Sequence, residues 1–335
     1  MSMPMSRTPM ASPNAGTARF TGRSSDGGGS DDPSAGPSSH GTQRAPLERP
    51  TSWWLSMLRR RAERLNTDRL DLSQPIVWKD AAEQEAAIRF FNAAYRAEES
   101  GLRQAHELAE QVAAWDPELG ECLRLYGSEE GWHRELLTEF LAYLGGDIRP
   151  MGPTTTTFYR LYKRAKRMET IVLTNLMFET IGSTTYRLTL RNVTHPAVRQ
   201  MLTILTRDES FHVPLNVHFL RQIVRHTPDP AATRRRMNRL YHVLYVALVL
   251  SAKASRRRAQ RFDGLTFREL GSAYAEHLGR LFVHENDLGL EPSPLLLGLC
   301  GLRRAELAAG EDISAVSVAA AEAAVDRDQV EIRAL

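Results

Sequence analysis

Two Glu-x-x-His segments constrain this chain more than anything else in it: Glu130-Gly131-Trp132-His133 and Glu209-Ser210-Phe211-His212. Each falls in the middle of a run with helical apolar periodicity. Residues i and i+3 of a helix share a face, so each segment aims a carboxylate and an imidazole the same way. Each also follows another mid-helix glutamate on an apolar stripe, Glu99 preceding Glu130 by 31 residues and Glu179 preceding Glu209 by 30. The chain thus reads as two hairpin repeats, each giving one lone carboxylate and one carboxylate–imidazole pair. Glu98 also fits the first stripe; the 31-residue spacing, nearer the 30 of the second half, favours Glu99. Six polar side chains on core-facing stripes are costly unless they bind something. Four carboxylates balance two divalent charges, and a carboxylate can bridge two ions where an imidazole cannot. Glu99, Glu130, His133, Glu179, Glu209 and His212 therefore predict a two-metal site. Its oxygen-rich, partly nitrogen shell suits iron or manganese better than structural zinc.

The pattern around these residues is all-α, with no strand-like alternation from Asp80 onward. Ile88, Phe91, Tyr95, Leu102 and Ala109 mark a first long helix to about Ala114. Asp116-Pro117 reads as an N-cap with proline at the first helical position, opening a helix that stops at Gly145-Gly146. A third long helix runs to about Leu190, Pro196 opens a fourth, and Asp229-Pro230 repeats the cap signal for a fifth, to about Arg261. Shorter helices are expected over 265–283 and 314–326. The connection from Gly145 to about Thr157 holds two prolines and four threonines and, extended, spans about 40 Å, the length of one of these helices. It can carry the single long crossover that joins two antiparallel hairpins into a four-helix bundle. This divides the chain into a disordered or extended N-terminal arm (1–75), a di-metal four-helix core (76–226) and accessory C-terminal helices packed on the core, with a tail (227–335).

Within the arm, the first fifty or so residues are rich in Ser, Gly, Pro and Thr and are expected to be disordered. Trp53, Trp54, Leu55 and Leu58 with Arg59 to Arg61 form a short amphipathic patch, which either packs on the main body or meets a membrane or partner. Cys122 and Cys300 are too few and too far apart for a disulfide framework or a structural zinc site, which points to a reducing, cytoplasmic compartment. No apolar run follows the first basic residues as a signal peptide requires, and none reaches the length of a membrane span. The net charge of +3 names no partner.

With these motifs in place, residues 80 to about 226 resemble the ferritin-like di-iron carboxylate superfamily, in which a lone Glu from each of two helices joins Glu-x-x-His from two others. The segment ending Thr206-Arg207-Asp208-Glu209-Ser210-Phe211-His212 is similar to the Asp-Glu-x-x-His helix of soluble acyl-carrier-protein desaturases and di-iron N-oxygenases. Ser128-Glu129-Glu130-Gly131-Trp132-His133 looks like its partner in the first half. Glu99-Ser100-Gly101 resembles the Glu-x-Gly start of some di-iron hydroxylases. The resemblance implies a ferritin-like bundle with two iron ions, or manganese and iron, and dioxygen as co-substrate, and it makes Asp208 a group that orients a ligand histidine. Two departures stand out: Leu205 replaces the extra histidine of the N-oxygenase branch, and Leu137 replaces the tyrosine of ribonucleotide reductase radical subunits.

The function expected on this basis is an oxygen-dependent di-iron oxidoreductase acting on a small organic or carrier-bound substrate. A ferroxidase, iron-storage or peroxide-detoxifying protein is the alternative. Between Arg221 and Arg261 stand eleven basic residues and one acidic, Asp229. Such a stretch is either a solvated face or a docking surface for an acidic acyl carrier protein, ferredoxin or reductase. No motif supports nucleic-acid binding, and a homodimer is compatible with the sequence. Tyr95 and Tyr186 read as core tyrosines near the metals, and Gly182 as a close helix contact or as room for dioxygen or substrate.

Overall fold

The structure, a computed structural model, describes residues 48–63, 65 and 69–334. The disorder expected at the N-terminus lies, up to residue 47, outside them. All regular structure among the described residues is helical. Four long helices, α2 (Ala81–Ala113), α3 (Pro117–Tyr143), α5 (Met168–Leu190) and α6 (Pro196–His226), form the body. Before them comes α1 (Thr51–Ala62), and α4 (Pro153–Tyr162) lies between α3 and α5. After them follow α7 (Pro230–Asp263), α8 (Phe267–His284), α9 (Pro294–Leu299), α10 (Arg304–Ala309) and α11 (Ile313–Ala334). No helix among the described residues is long and apolar enough to cross a membrane.

The helix ends follow local chemistry. Asp80, Asp116 and Asp229 accept hydrogen bonds from the backbone N–H of Glu83, Leu119 and Ala232, satisfying donors the helix itself leaves open. Pro117, Pro196 and Pro230 sit in the first turns, where a missing N–H costs nothing. Gly145 and Gly264 close α3 and α7 in the left-handed conformation, at φ 77° and 70°.

Two apolar clusters fill the bundle, one on either side of a polar layer. Along α2 the buried side chains run from Ala86–Tyr95 in one cluster, past Glu98, to Ala105–Val112 in the other. Along α3 they run the opposite way, from Leu119–Tyr126 past Glu129–His133 to Leu136–Leu144. Helix α5 passes from Ile171–Met177 to Tyr186, and α6 from Ala197–Leu205 to Val213–Val224. The pairs α2/α3 and α5/α6 are therefore antiparallel hairpins, whereas α3 and α5 run the same way, so residues 145–167 must carry the chain back along the bundle. This long crossover is not the plain linker expected over 145–157. It contains α4, where Pro153 supplies the first turn and the Thr156 and Thr157 hydroxyls bond back to the Met151 and Pro153 carbonyls.

The expected N-terminal arm also needs revision. Thr51–Ala62 is a helix packed on α3, burying Trp54, Leu55, Met57 and Leu58. Trp54 stacks at a tilt on Phe211 of α6, 5.7 Å between ring centroids. Trp54, Leu58 and Arg61 recur at helical spacing, so the face that anchors α1 also delivers Arg61 to the interior, only 5% exposed. Among the C-terminal helices, α7 packs on α2 and α5, α8 on α5, and α11 on α6.

Candidate metal centre

The polar layer between the two clusters holds Glu98 from α2, Glu130 and His133 from α3, Glu179 from α5, and Glu209 and His212 from α6. All six are at most 6% exposed. Their ligating atoms fall into two groups, Glu98–Glu130–His133 and Glu130–Glu179–Glu209–His212, with all atoms of a group within 4.8 Å of one another. Glu130 belongs to both. Glu209 also faces both imidazoles, Oε1 lying 3.6 Å from His133 Nδ1 and Oε2 3.4 Å from His212 Nδ1. Glu98 stands 3.4 Å from His133 Nδ1, and Glu179 stands 3.6 Å from His212 Nδ1. Two carboxylates thus span the layer and one caps each side.

Five of the six residues expected from the sequence meet here; Glu99 does not. The buried stripe of α2 passes through Phe91, Ala94, Tyr95, Glu98, Gly101 and Ala105, and one further residue turns Glu99 about 100° away. Its side chain is 39% exposed and accepts a hydrogen bond from Arg96 at 2.7 Å. Hairpin spacing could not decide between the two glutamates, because the α2–α3 and α5–α6 connections differ in length; helix phase does. Gly101, one turn beyond Glu98, is small for a reason: a Cβ there would lie 2.4 Å from Glu130 Oε2.

Behind each imidazole stands a carboxylate from the opposite hairpin. His133 Nε2 donates to Asp208 at 3.1 Å, and His212 Nε2 donates to Glu129 at 2.9 Å. A carboxylate accepting from Nε2–H fixes the tautomer and turns a bare Nδ1 toward the centre. Arg61 joins the two acids, donating from Nε and Nη2 to Glu129 at 2.9 Å and from Nη2 to Asp208 at 2.9 Å, with its guanidinium 4.3 Å from the Phe211 ring. Arg207 adds a more exposed hydrogen bond to Asp208 at 2.7 Å. Asp208 takes the orienting role expected of it. Glu129 and Arg61 do the same work unanticipated, although an acid immediately precedes each Glu-x-x-His in the sequence. Tyr126, also unanticipated, donates to Glu179 Oε1 at 2.5 Å from one turn before Glu130. Tyr95 and Tyr186 are core side chains of the cluster on the far side of the layer. At Gly182 a Cβ would meet only the Tyr186 ring, at an ordinary 3.5 Å.

Without bound cations the layer resolves its charge with protons. Burial, then the charges of Glu179 and Glu98, push the Glu130 carboxyl well above its usual range, and burial with Glu179 and Glu98 does the same to Glu209. Burial alone would lower His133, but the hydrogen bond to Asp208 and the nearby Glu98 carboxylate outweigh it and hold the imidazole up at about 10. His212 is raised in the same manner, with Glu129 its first partner. Burial is likewise outweighed at Glu129, which Arg61 holds down at about 2, and at Asp208, which Arg61 and His133 hold well below the carboxylate range.

The donor set fits a pair of metal ions. Glu130 Oε1, Glu209 Oε1, His133 Nδ1 and His212 Nδ1 are buried and have no hydrogen-bond partner; even the 3.0 Å approach of His212 Nδ1 to Glu130 Oε1 is off line. Buried polar atoms are otherwise nearly always paired. Here the unpaired ones converge, each held by a group behind it, and four carboxylates match two divalent charges. Comparison with family models, curated proteins and solved structures returns no match for this chain. What the centre does must be argued from its geometry.

Proposed function

We propose that this chain is a ferritin-like, oxygen-dependent di-iron oxidoreductase. The observation that carries the reading is the pair of ligand groups sharing Glu130, with unpartnered Nδ1 and carboxylate oxygens turned inward. Two hairpins joined by a long crossover, each contributing a lone glutamate and Glu-x-x-His, support the ferritin-like relation. Glu98, Glu130 and His133 would hold one ion, and Glu130, Glu179, Glu209 and His212 the other. When bound, a reduced iron pair supplies the electrons that activate dioxygen toward an organic substrate.

The protein's own contribution is positional. Asp208 and Glu129 hold the imidazoles, Arg61 holds both acids, and Tyr126 fixes one oxygen of Glu179. Apolar clusters on both sides of the layer keep bulk water from it. An acidic electron donor would meet the arginines of α7, Arg234, Arg235 and Arg239 among them.

Metal analysis of purified protein, followed by anaerobic Fe(II) loading and oxygen-consumption measurements, tests this. The expected result is two irons per chain and oxygen consumed in proportion to bound iron, both lost in Glu130→Ala and Glu209→Ala. Many irons per chain, deposited as mineral, would move the assignment to iron storage. Failure to bind any metal would refute it.

A further inference from the structure

On the side of α2 turned away from the metal layer, α2 and the crossover helix α4 flank an open pocket of about 220 Å³. Helix α2 lines it with Arg96, Glu99, Ser100 and Arg103, and α4 with Thr156, Tyr159, Arg160 and its C-cap Lys163. Both sets fall at i, i+3, i+4 and i+7, so each helix turns one complete face to the pocket. Met151 and the Tyr159 ring give it apolar wall, and the volume is roughly that of seven waters at ~30 Å³ each, room for one ring or a short chain.

The polar groups around this space are cationic and underused. Four cations face one carboxylate, Glu99, and that carboxylate is held by Arg96, whose other arm donates to the Arg149 carbonyl at 2.7 Å. No carboxylate pairs with Arg103, Arg160 or Lys163 among the described residues. The Nε groups of Arg96 and Arg103 are buried without a partner. So is the hydroxyl of Ser100, a side chain only 3% exposed. Buried donors lining a cavity without acceptors indicate that the acceptor comes from outside.

The pocket lies across α2 from the centre. At about 100° per residue, Arg96, Glu99, Ser100 and Arg103 form a face of α2 roughly opposite the buried stripe that carries Glu98.

We infer that the α2/α4 pocket binds a small organic acid with an apolar body through its carboxylate. Arg103 and Ser100 take the acid group from the α2 side and Arg160 and Lys163 from the α4 side, with the apolar portion against Met151 and Tyr159. This binding stands apart from the oxidoreductase reading above.

Calorimetric titration of the full chain, metal-free and iron-loaded under anaerobic conditions, tests it with benzoate and octanoate and their neutral amides. Inorganic phosphate serves as competitor. The acids should bind with one site per chain and the amides about tenfold or more weaker, as loss of a charge-assisted bond requires. Arg103→Gln and the double variant Arg160→Gln/Lys163→Gln should each weaken acid binding by about tenfold or more. Both should keep two irons per chain and the thermal midpoint of the parent. Equal binding of acid and amide, or acid binding unaffected in both variants, would overturn the inference. Phosphate binding as tightly as either acid would replace it with an inorganic-anion site. Iron bound without acid binding defeats this inference alone, whereas acid bound without any metal defeats only the oxidoreductase reading.

Discussion

Arg61→Met tests the most specific feature of this centre, its dependence on a residue from outside the four-helix body. Arg61 is the cation shared by two buried carboxylates, Glu129 and Asp208, reached through three hydrogen bonds of 2.9 Å across 68 and 147 residues of sequence. Removing one partner from a buried ionic network strands the others and costs about 3–5 kcal/mol. The lower end applies here, because His212 and His133 still donate to the two acids. The metal-free variant should therefore lose about 3 kcal/mol in urea unfolding, analysed with an unchanged m-value. The losses should be uneven. Asp208 retains Arg207, while Glu129 retains no other guanidinium among the described residues, so its partner His212 loses more support than His133. Disturbing groups behind metal ligands costs about 10–100-fold in affinity, and the weaker of two resolved Fe(II) or Co(II) binding steps should carry most of it. Arg61→Lys restores charge without the fork that grips two oxygens and should recover only part of either effect. A loss below about 1 kcal/mol with unchanged metal affinity, the size of a surface ion pair, would refute the reasoning.

Other perturbations separate the parts of the site. Glu98→Ala should remove one ion of the pair by metal analysis, while Glu99→Ala, which alters only a half-exposed contact with Arg96, should keep both. Gly101→Ala places a Cβ 2.4 Å from Glu130 Oε2 and should displace this shared carboxylate, seen as a drop in metal affinity larger than the change in thermal stability. Tyr126→Phe leaves the Glu179 oxygen without its donor and should cost about 1–2 kcal/mol in the metal-free protein, read by urea unfolding. The pH dependence of the metal-free protein has a definite sign. Glu130 and Glu209 lie above the usual 4.5 and His133 lies at about 10 against an ordinary 6.5, so the folded chain holds extra protons and loses stability as pH rises from 4.5 toward 10. Glu129 at about 2 contributes stability that is lost as pH falls below 4.5, so the thermal midpoint should peak near 4.5, and bound metal should flatten the alkaline side.

Much of this arrangement was legible in the amino-acid pattern because its signals are local. Asp116-Pro117 and Asp229-Pro230 announce helix starts through the chemistry of one turn, and Glu-x-x-His brings two ligands to one face whatever surrounds the helix. The failures come where the deciding contact is distant. Glu98 and Glu99 both fit an apolar stripe, and only packing against α3, where Gly101 admits the Glu130 carboxylate, fixes the phase. The connection over 145–157, with two prolines and four threonines, reads as an extended linker, yet the Thr156 and Thr157 hydroxyls bond back to the preceding turn and α4 has α2 to face.

Arg61 shows how such a distant contact can still be inferred. An acid precedes both Glu-x-x-His pairs, Glu129 in one half and Asp208 in the other. On helices whose neighbouring positions point inward, both acids are buried behind the ligands rather than solvated. Two further buried carboxylates exceed what a pair of divalent ions can balance once four others ligate them. The surplus demands a buried cation, and the inward stripes of α2, α3, α5 and α6 near the layer place none between the two acids. The cation must then arrive from another element, on a short apolar face able to pack against the bundle. The Trp54, Leu58 and Arg61 face of α1 meets that requirement, which makes the helix before the bundle a working part of the centre.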